Sequence, residues 1–365
     1  MKVDSSDTGA SMSASILLSV VVLNYNYARF LPIAIDSVLD QGASDVELIV
    51  VDDCSTDHSR DVIAAYGSSI IPVLHPQNRG HGAGFNSGWE RASGKVVMFL
   101  DADDFLLPGA LKTIVENIDE SSAMYLYRML LADEEGRLGD LYPPEQIPLA
   151  NGDISAELRE KGRYSGTVTS GLVFSRAALS KIMPMDPEIF RMGGDGYLSA
   201  VAPLYGQVRA LDVTVSGYRK HSSNHSGFSG YDERLVKRAR WCLGHDAARY
   251  AAIESHAKRL NLPVADNLGG KDRLHIEQRM ISILMDTEDR SAGSRVTWAR
   301  YGQRTLDAGA SSGKRIFNYF WWTILERAPE GLARTILMWK VDSSSRPKSI
   351  DSAARWVRKR LGIVL

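Results

Sequence analysis

The chain has 365 residues, 44% of them hydrophobic and 24% charged, with a formal net charge of −1. That length allows one large domain or two modest ones with ample core, and the balanced charge gives no reason to expect a nucleic-acid partner. Two cysteines, Cys54 and Cys242, form neither a disulfide framework nor a Cys-x-x-Cys zinc spacing, which fits a cytoplasmic compartment.

Residues 1–15, MKVDSSDTGASMSAS, are polar and small, as expected of a disordered tail. The apolar run Ile16 to Leu23 is interrupted by Ser19 and is far shorter than the roughly 20 residues of a membrane span. It also lacks the basic flank and cleavage site of a signal peptide. "SILLSVVVLNYN" therefore reads as a buried strand ending in a polar turn. "YARFLPIAIDSVLDQG" follows as a helix, with Phe30, Ile33, Ala34, Ser37 and Val38 recurring at three and four and Gly42 ending it.

"VELIVVDDCSTD" is a second strand with carboxylates at its end, and Asp57 suits the cap of the helix "HSRDVIAAYG". "IIPVLH" is a third strand, "GAGFNSGWERASG" a helix and "KVVMFLDADD" a fourth strand. "GHGAG" lacks dinucleotide-fingerprint spacing and reads as a flexible bend. The middle of the chain is less regular, with "TVTSGLVFSRAALSKI" a strand running into a helix and "VRALDVTVSGYRKH" a late strand with its loop. From about Tyr231 the pattern is mostly helical, which places a boundary near residue 228.

Ligands of such α/β sheets gather at the carboxyl ends of the strands, where Asn24, Asp52, Asp53, Asp101 and Asp103 all fall. Crowded carboxylates repel one another unless something positive joins them. Oxygen-only ligands suit Mg²⁺ or Mn²⁺, which take their remaining ligands from water and substrate phosphates. A nucleotide diphosphate could then lie across the strand ends with its metal on Asp103. Cys54 stands beside the acidic pair with no His arranged to activate it, so it reads as a spectator thiol.

The blocks "SVVVLNYNYARFLPIAIDSVLDQ", "ELIVVDDCSTD", "NRGHGAGFNSGWERASGKVVMFLDADD", "GLVFSRAAL", "GGDGYLS" and "YRKHSSNHS" run in order from about residue 18 to 227. In them the chain closely resembles the family 2 glycosyltransferases of GT-A fold. The resemblance implies a Rossmann-like mixed α/β sheet flanked by helices over residues 16–228, followed by a mainly helical C-terminal region over 229–365. It implies inverting, metal-assisted transfer from a nucleoside-diphosphate sugar, most often a UDP-sugar, to a glycan or lipid-linked acceptor in polysaccharide or glycolipid synthesis. Carried over residue by residue, Asn24 and Tyr25 line the nucleotide pocket and Asp53 contacts base or ribose. Asp101 and Asp103 face ribose and metal, with Asp103 the principal ligand of Mn²⁺ or Mg²⁺. His221 touches metal or phosphate, and Arg219 adds positive charge.

An inverting reaction needs a base for the acceptor hydroxyl. The family usually supplies a Glu-Asp pair, where this chain reads Gly193-Gly194-Asp195, so Asp195 is the candidate and Asp186 and Asp212 are alternatives. Many members carry Arg just before the Asn of the third helix, where this chain has Phe85-Asn86, leaving Arg79 or Arg91 to compensate. The missing Glu keeps open a non-catalytic sugar-nucleotide or glycan-binding protein. A nucleotidyltransferase is the alternative within the same fold, but "NYNYARF" lacks its Gly-rich basic loop.

Trp298, Trp321, Trp322, Trp339 and Trp356, five of the seven tryptophans, lie beyond the boundary helix that carries Trp241. Packing against the catalytic core is expected for Trp321 and Trp322. For the basic last segment, "RWVRKRLGIVL", peripheral contact with the inner face of a membrane stands beside simple packing.

Overall fold

The computed structural model describes residues 16–221, 233–286, 293–305 and 312–341, with Pro347 and Ser352. Its strands are β1 (Leu18–Asn24), β2 (Val46–Asp52), β3 (Ile71–Leu74), β4 (Val96–Asp101), β5 (Phe105–Leu106), β6 (Ser122–Ala132), β7 (Leu138–Tyr142), β8 (Leu172–Ser175) and β9 (Gln207–Arg219). Helices α1 (Leu31–Leu39), α2 (Ser59–Ala65), α3 (His81–Arg91), α4 (Ala110–Glu116), α5 (Ser155–Lys161), α6 (Arg176–Ile182) and α7 (Gly194–Val201) alternate with them. Then come α8 (Glu233–Arg259), α9 (Arg273–Met285), α10 (Arg295–Arg304), α11 (Ser312–Arg327) and α12 (Glu330–Val341).

All nine strands join one mixed sheet in the order β3-β2-β1-β4-β8-β6-β9-β5, with β7 paired to β6. β1 runs parallel to both β2 and β4, and β8 reverses direction beside β4. The near-continuous apolar runs of β1, β2 and β4 follow from burial on both faces. Val21, Leu23, Ile49, Val51, Val97 and Phe99 face a layer that includes Phe85, Leu179 and Leu198. Val20, Val22, Leu48, Val50, Met98 and Leu100 face the opposite layer, with Leu31, Ile35, Ile63 and Leu111. Each such fully buried side chain contributes about 1.5–3 kcal/mol of transfer free energy.

Because both faces are apolar, polarity along the strands cannot pin their register. At the strand ends Asn24 pairs with Asp52 and Leu23 with Asp101, so the three polar termini stand within one residue of one another. The expected β1 to β4 and the helices between them all form, as do β8 with α6, and β9. The "GHGAG" stretch corrects its reading as a bend. Gly80, at φ 85°, leads straight into α3, and a side chain on Gly82 would stand 2.6 Å from the Phe190 carbonyl. The glycines serve close packing there rather than flexibility.

The helices after residue 233 build a second cluster from Leu235, Ile276, Met280, Leu284, Trp322, Leu325 and Leu337. α8 also enters the sheet's own core through Tyr250 and Ile253. Trp322 is buried, but within this helical cluster rather than against the sheet as expected, with its Nε1 donating to Asn318 Oδ1 at 3.1 Å, and Trp321 is half-buried against the same cluster. No helix among the described residues is long and apolar enough to cross a membrane. The segment with Trp356, Val357 and Leu361 lies outside the described residues.

Candidate active site

The turn after β1 is locked to the turn after β2 by short polar groups. Asn24 Nδ2 donates to Asp52 Oδ1 at 2.8 Å and to Ser55 Oγ at 3.1 Å. Asn26, left-handed at φ 59°, accepts from Thr56 N at 2.7 Å. Asp52 is fully buried, and burial alone would raise its pKa. Hydrogen bonds from Ser55, Arg60 and Asn24 outweigh that and hold the carboxylate below the ordinary range. Tyr25 stands out from this rigid double turn, 44% exposed at the mouth.

Asp53 turns inward. Its carboxylate accepts from Arg79 N at 2.8 Å and Gly80 N at 2.7 Å, and bonds His75 Nδ1 at 2.7 Å. The structure therefore gives it the work of holding the loop that enters α3, with 9% of its side chain exposed. Arg79 lies on that loop and is exposed, next to the site. Arg91 ends α3, about 15 Å of helix away from His81.

Beyond β4 the ligand atoms of Asp101, Asp103 and Asp104 lie within 4.8 Å of one another. Asp104 Oδ2 is buried with no hydrogen-bond partner. Burial first, then the charges of Asp103 and Asp101, push the Asp104 carboxyl well above its usual range. Arg219, 1% exposed, lies beneath this turn, with Nε donating to the Asp103 carbonyl at 2.7 Å and its amide to Asp104 Oδ1 at 2.8 Å. Its charge thus supports the motif from behind.

His221 comes in from the chain after β9, its Nε2 3.0 Å from Asp103 Oδ2, with its ring against Phe30 and Tyr27. The rest of its loop, from residue 222, lies outside the described residues. Mutually repelling carboxylates, an orphaned buried oxygen and an adjoining imidazole form a donor set into which Mn²⁺ or Mg²⁺ fits.

Asp195 stands in the first turn of α7 and is partly exposed. His81, at the start of α3, comes between the two acidic groups, with Nε2 3.4 Å from Asp101 Oδ1. Burial works against charging this imidazole, but Asp101, Asp195 and Asp103 together hold its pKa above the ordinary value. The sequence reading passed over His81, whose only signal was its place just before the predicted helix. Asp186 is spent on capping the amides of Glu188 and Ile189 at 2.9 and 3.2 Å. Asp212 pairs with Arg128. Neither alternative base is brought to the site by these contacts.

The two departures from the family pattern meet in space. A Cβ on Gly194 would stand 2.7 Å from Phe85 Cδ2 and 3.2 Å from Met185 Sδ, so the Phe85 ring fills the place beside the loop that carries Asp195. Phe85 also meets His81 edge-on at 4.7 Å and Phe99 at 4.4 Å between ring centroids.

The model for glycosyl transferase family 2 matches residues 19–182. An uncharacterized glycosyltransferase of Nostoc is 36% identical over 227 residues, covering 60% of this chain and 70% of its own. The succinoglycan biosynthesis protein ExoO of Rhizobium meliloti is 36% identical over 251 residues, 67% of this chain and 69% of its own. A Campylobacter jejuni GalNAc(5)-diNAcBac-PP-undecaprenol beta-1,3-glucosyltransferase is 31% identical over 166 residues, about half of its length at 52% and 44% of this chain. Among solved structures, Staphylococcus aureus TarS shares the fold at 17% identity with a TM-score of 0.52, over 88% of this chain and 55% of its own. With this site at the strand ends and these relatives, the chain belongs to glycosyl transferase family 2 and is a glycosyltransferase of glycan biosynthesis.

Proposed function

We propose that the protein transfers a sugar, with inversion, from a UDP-sugar to a glycan or lipid-linked acceptor in polysaccharide or glycolipid synthesis. The observation that supports this reading is the cluster of Asp101, Asp103 and Asp104 at the strand ends, joined by His221 and His81, with Asp195 near enough for its charge to act on His81 and Asp101. The donor then lies between them, its nucleotide over the Asn24-Tyr25 turn with the exposed Tyr25 ring against the base. Structures of TarS in complex with UDP-GlcNAc and with UDP support the choice of donor.

Asp103, with Asp101 and His221 beside it, would hold Mn²⁺ or Mg²⁺, which when bound neutralises charge on the departing diphosphate. Asp53 fixes the pocket wall through the loop at residues 75–80, and Arg219 holds the acidic turn. Asp195 accepts the proton of the acceptor hydroxyl as its oxygen bonds the anomeric carbon and the nucleoside diphosphate leaves with the electrons of the broken bond. The non-catalytic alternative rests on the missing Glu; Phe85 packs against Gly194 at that position, and the transfer reading relies on Asp195 alone.

The same reading puts the enzyme on the cytoplasmic side of a membrane, in peripheral contact. Ile316, Phe317, Tyr319 and Phe320 of α11 are between 49% and 60% exposed, and Lys314 and Arg315 lie in its first turn. An apolar face with flanking cations suits an anionic lipid surface.

Replacement Asp195→Asn keeps shape and removes the proton acceptor. The transfer rate should fall by roughly 10²–10⁴-fold with donor affinity retained. Near-normal transfer by this variant would sink the assignment.

A further inference from the structure

We infer that α8 positions the base: His245 and Arg249, one turn apart, grip the backbone on both sides of Asp195 and set where its carboxylate stands. The inference rests on the reading of Asp195 as the proton acceptor and extends the catalytic apparatus into the helical region.

Two backbone contacts carry it. His245 Nε2 donates to the Gly193 carbonyl at 2.9 Å, and Arg249 Nε donates to the Gly196 carbonyl at 3.2 Å. The glycines around Asp195 are cut to fit that grip. Gly193 has φ 73°, and a Cβ there would stand 2.7 Å from His245 Nε2. A Cβ on Gly196 would stand 2.2 Å from His245 Cε1. Either substitution would push the imidazole off the loop.

The imidazole is itself held. It stacks on Trp241 with centroids 5.0 Å apart and planes at 19°, and meets Phe190 edge-on at 6.1 Å. Burial lowers its pKa, so at neutral pH it is uncharged. The Nε2 proton is then committed to the Gly193 carbonyl, leaving Nδ1 bare.

Arg249 is anchored through Asp246 Oδ1 at 3.3 Å. Asp246 also pairs with Arg163 and with His275 Nδ1 at 3.1 Å, which ties α8 to the loop at residue 163 and to α9. From the other side, the amides of His81 and Gly82 donate to the carbonyls of Arg191 and Phe190 at 2.8 and 3.1 Å. The base loop is thus clamped between α3, which faces the donor site, and α8. Held on both flanks, Asp195 has little freedom to drift, and a displacement of about 1 Å in such a group can cost 10²-fold in rate.

The test uses the full chain with Mn²⁺ and a UDP-sugar that it turns over, measuring kcat, donor KM and thermal stability. His245→Gln keeps an N–H near the position of Nε2, whereas His245→Leu keeps bulk and removes the donor. The leucine variant should lose roughly 10–10² in kcat with donor KM unchanged, and the glutamine variant should regain most of it. If the leucine variant does not accumulate as folded protein, His245→Asn, one carbon too short to reach Gly193, replaces it in the comparison.

On an Asp195→Asn background the same His245 change should cost nothing further, because the group it positions is gone. Equal losses in the donor-keeping and donor-lacking variants, or an undiminished loss on the Asp195→Asn background, would overturn the inference. A fully active Asp195→Asn enzyme would remove the base reading itself, whatever the histidine variants do.

Discussion

Gly194→Ala sets two physical effects against each other with opposite signs. Helix propensity favours alanine by about 1 kcal/mol within a helix. The new Cβ, however, would stand 2.7 and 3.0 Å from Phe85 Cδ2 and Cε2, against an ordinary carbon contact of about 3.5–4.0 Å. Phe85 cannot simply yield, because it is fully buried between Phe99 and His81. Overpacking of this kind costs about 1–3 kcal/mol, so net destabilisation of about 0–2 kcal/mol is expected, a fall of up to about 3 °C in Tm for a chain of this length. The displaced ring bears on His81 and the base loop, so kcat should fall by about tenfold or more. Gly244→Ala is the matched control, since it lies within α8, is exposed, and has nothing within 4 Å of the added carbon. It should raise Tm by about 1–3 °C without touching activity. Scanning calorimetry and a donor-release assay on both variants decide the matter. A stabilised, fully active Gly194→Ala enzyme would refute the packing of Phe85 against the base loop.

Asp103→Ala, or an excess of chelator, should abolish turnover while circular dichroism stays unchanged; full activity under chelation would end the metal-dependent reading. Asp246 has a pKa of about 2, because His275, Arg163 and Arg249 outweigh the opposing effect of burial. A depressed folded-state pKa stabilises above the unfolded value, so about 2 kcal/mol should be present at neutral pH and lost as pH falls from about 4 towards 2. Urea titrations across that range check it, and Asp246→Asn should flatten the acid limb. Removing residues 351–365 should leave UDP-sugar binding by calorimetry intact, since every proposed donor contact precedes residue 222. Phe317→Ser with Phe320→Ser should reduce co-sedimentation with anionic phospholipid vesicles, and undiminished sedimentation would argue that α11 does not meet lipid.

What the sequence showed depended on range. β1, α1, β2, α3 and β4 could be read because burial on both faces writes continuous apolar runs, and the acidic residues at their ends are polar where apolar runs stop. β6 sits in mid-sheet between β8 and β9 yet escaped notice. Its "SAMYLYRMLLA" is a mostly apolar run in the irregular middle of the chain, and apart from the adjacent β7 it pairs with strands distant in sequence. The clustering of Asp101 and Asp103 was legible in a local motif. His81 and His245 were not, because each acts through one contact whose partner lies 20 and 52 residues away. Asp53 lies at the predicted strand end, but only the folded loop shows that its carboxylate turns away from the mouth to hold Arg79 and Gly80.

The missing Glu and the missing Arg are better understood as one exchange than as two defects. A carboxylate introduced at residue 194 alone would be pressed against the Phe85 ring and Met185, with no cation on that contact to pair with it. A guanidinium introduced at residue 85 alone would be buried among Phe99, His81 and a glycine. Either single change leaves a desolvated charge without its partner, which costs more than the pair is worth. The chain instead carries neither charge and closes the gap with an aromatic ring against a glycine. Asp195 keeps its place one residue further on, so on the proposed reading the loss of the acidic neighbour does not remove the proton acceptor. What changes is how the loop is held. Here an apolar contact lets it seat and the hydrogen bonds from α8 hold it. On the proposed reading, that shift gives the helical region a part in placing Asp195 rather than leaving it an appendage.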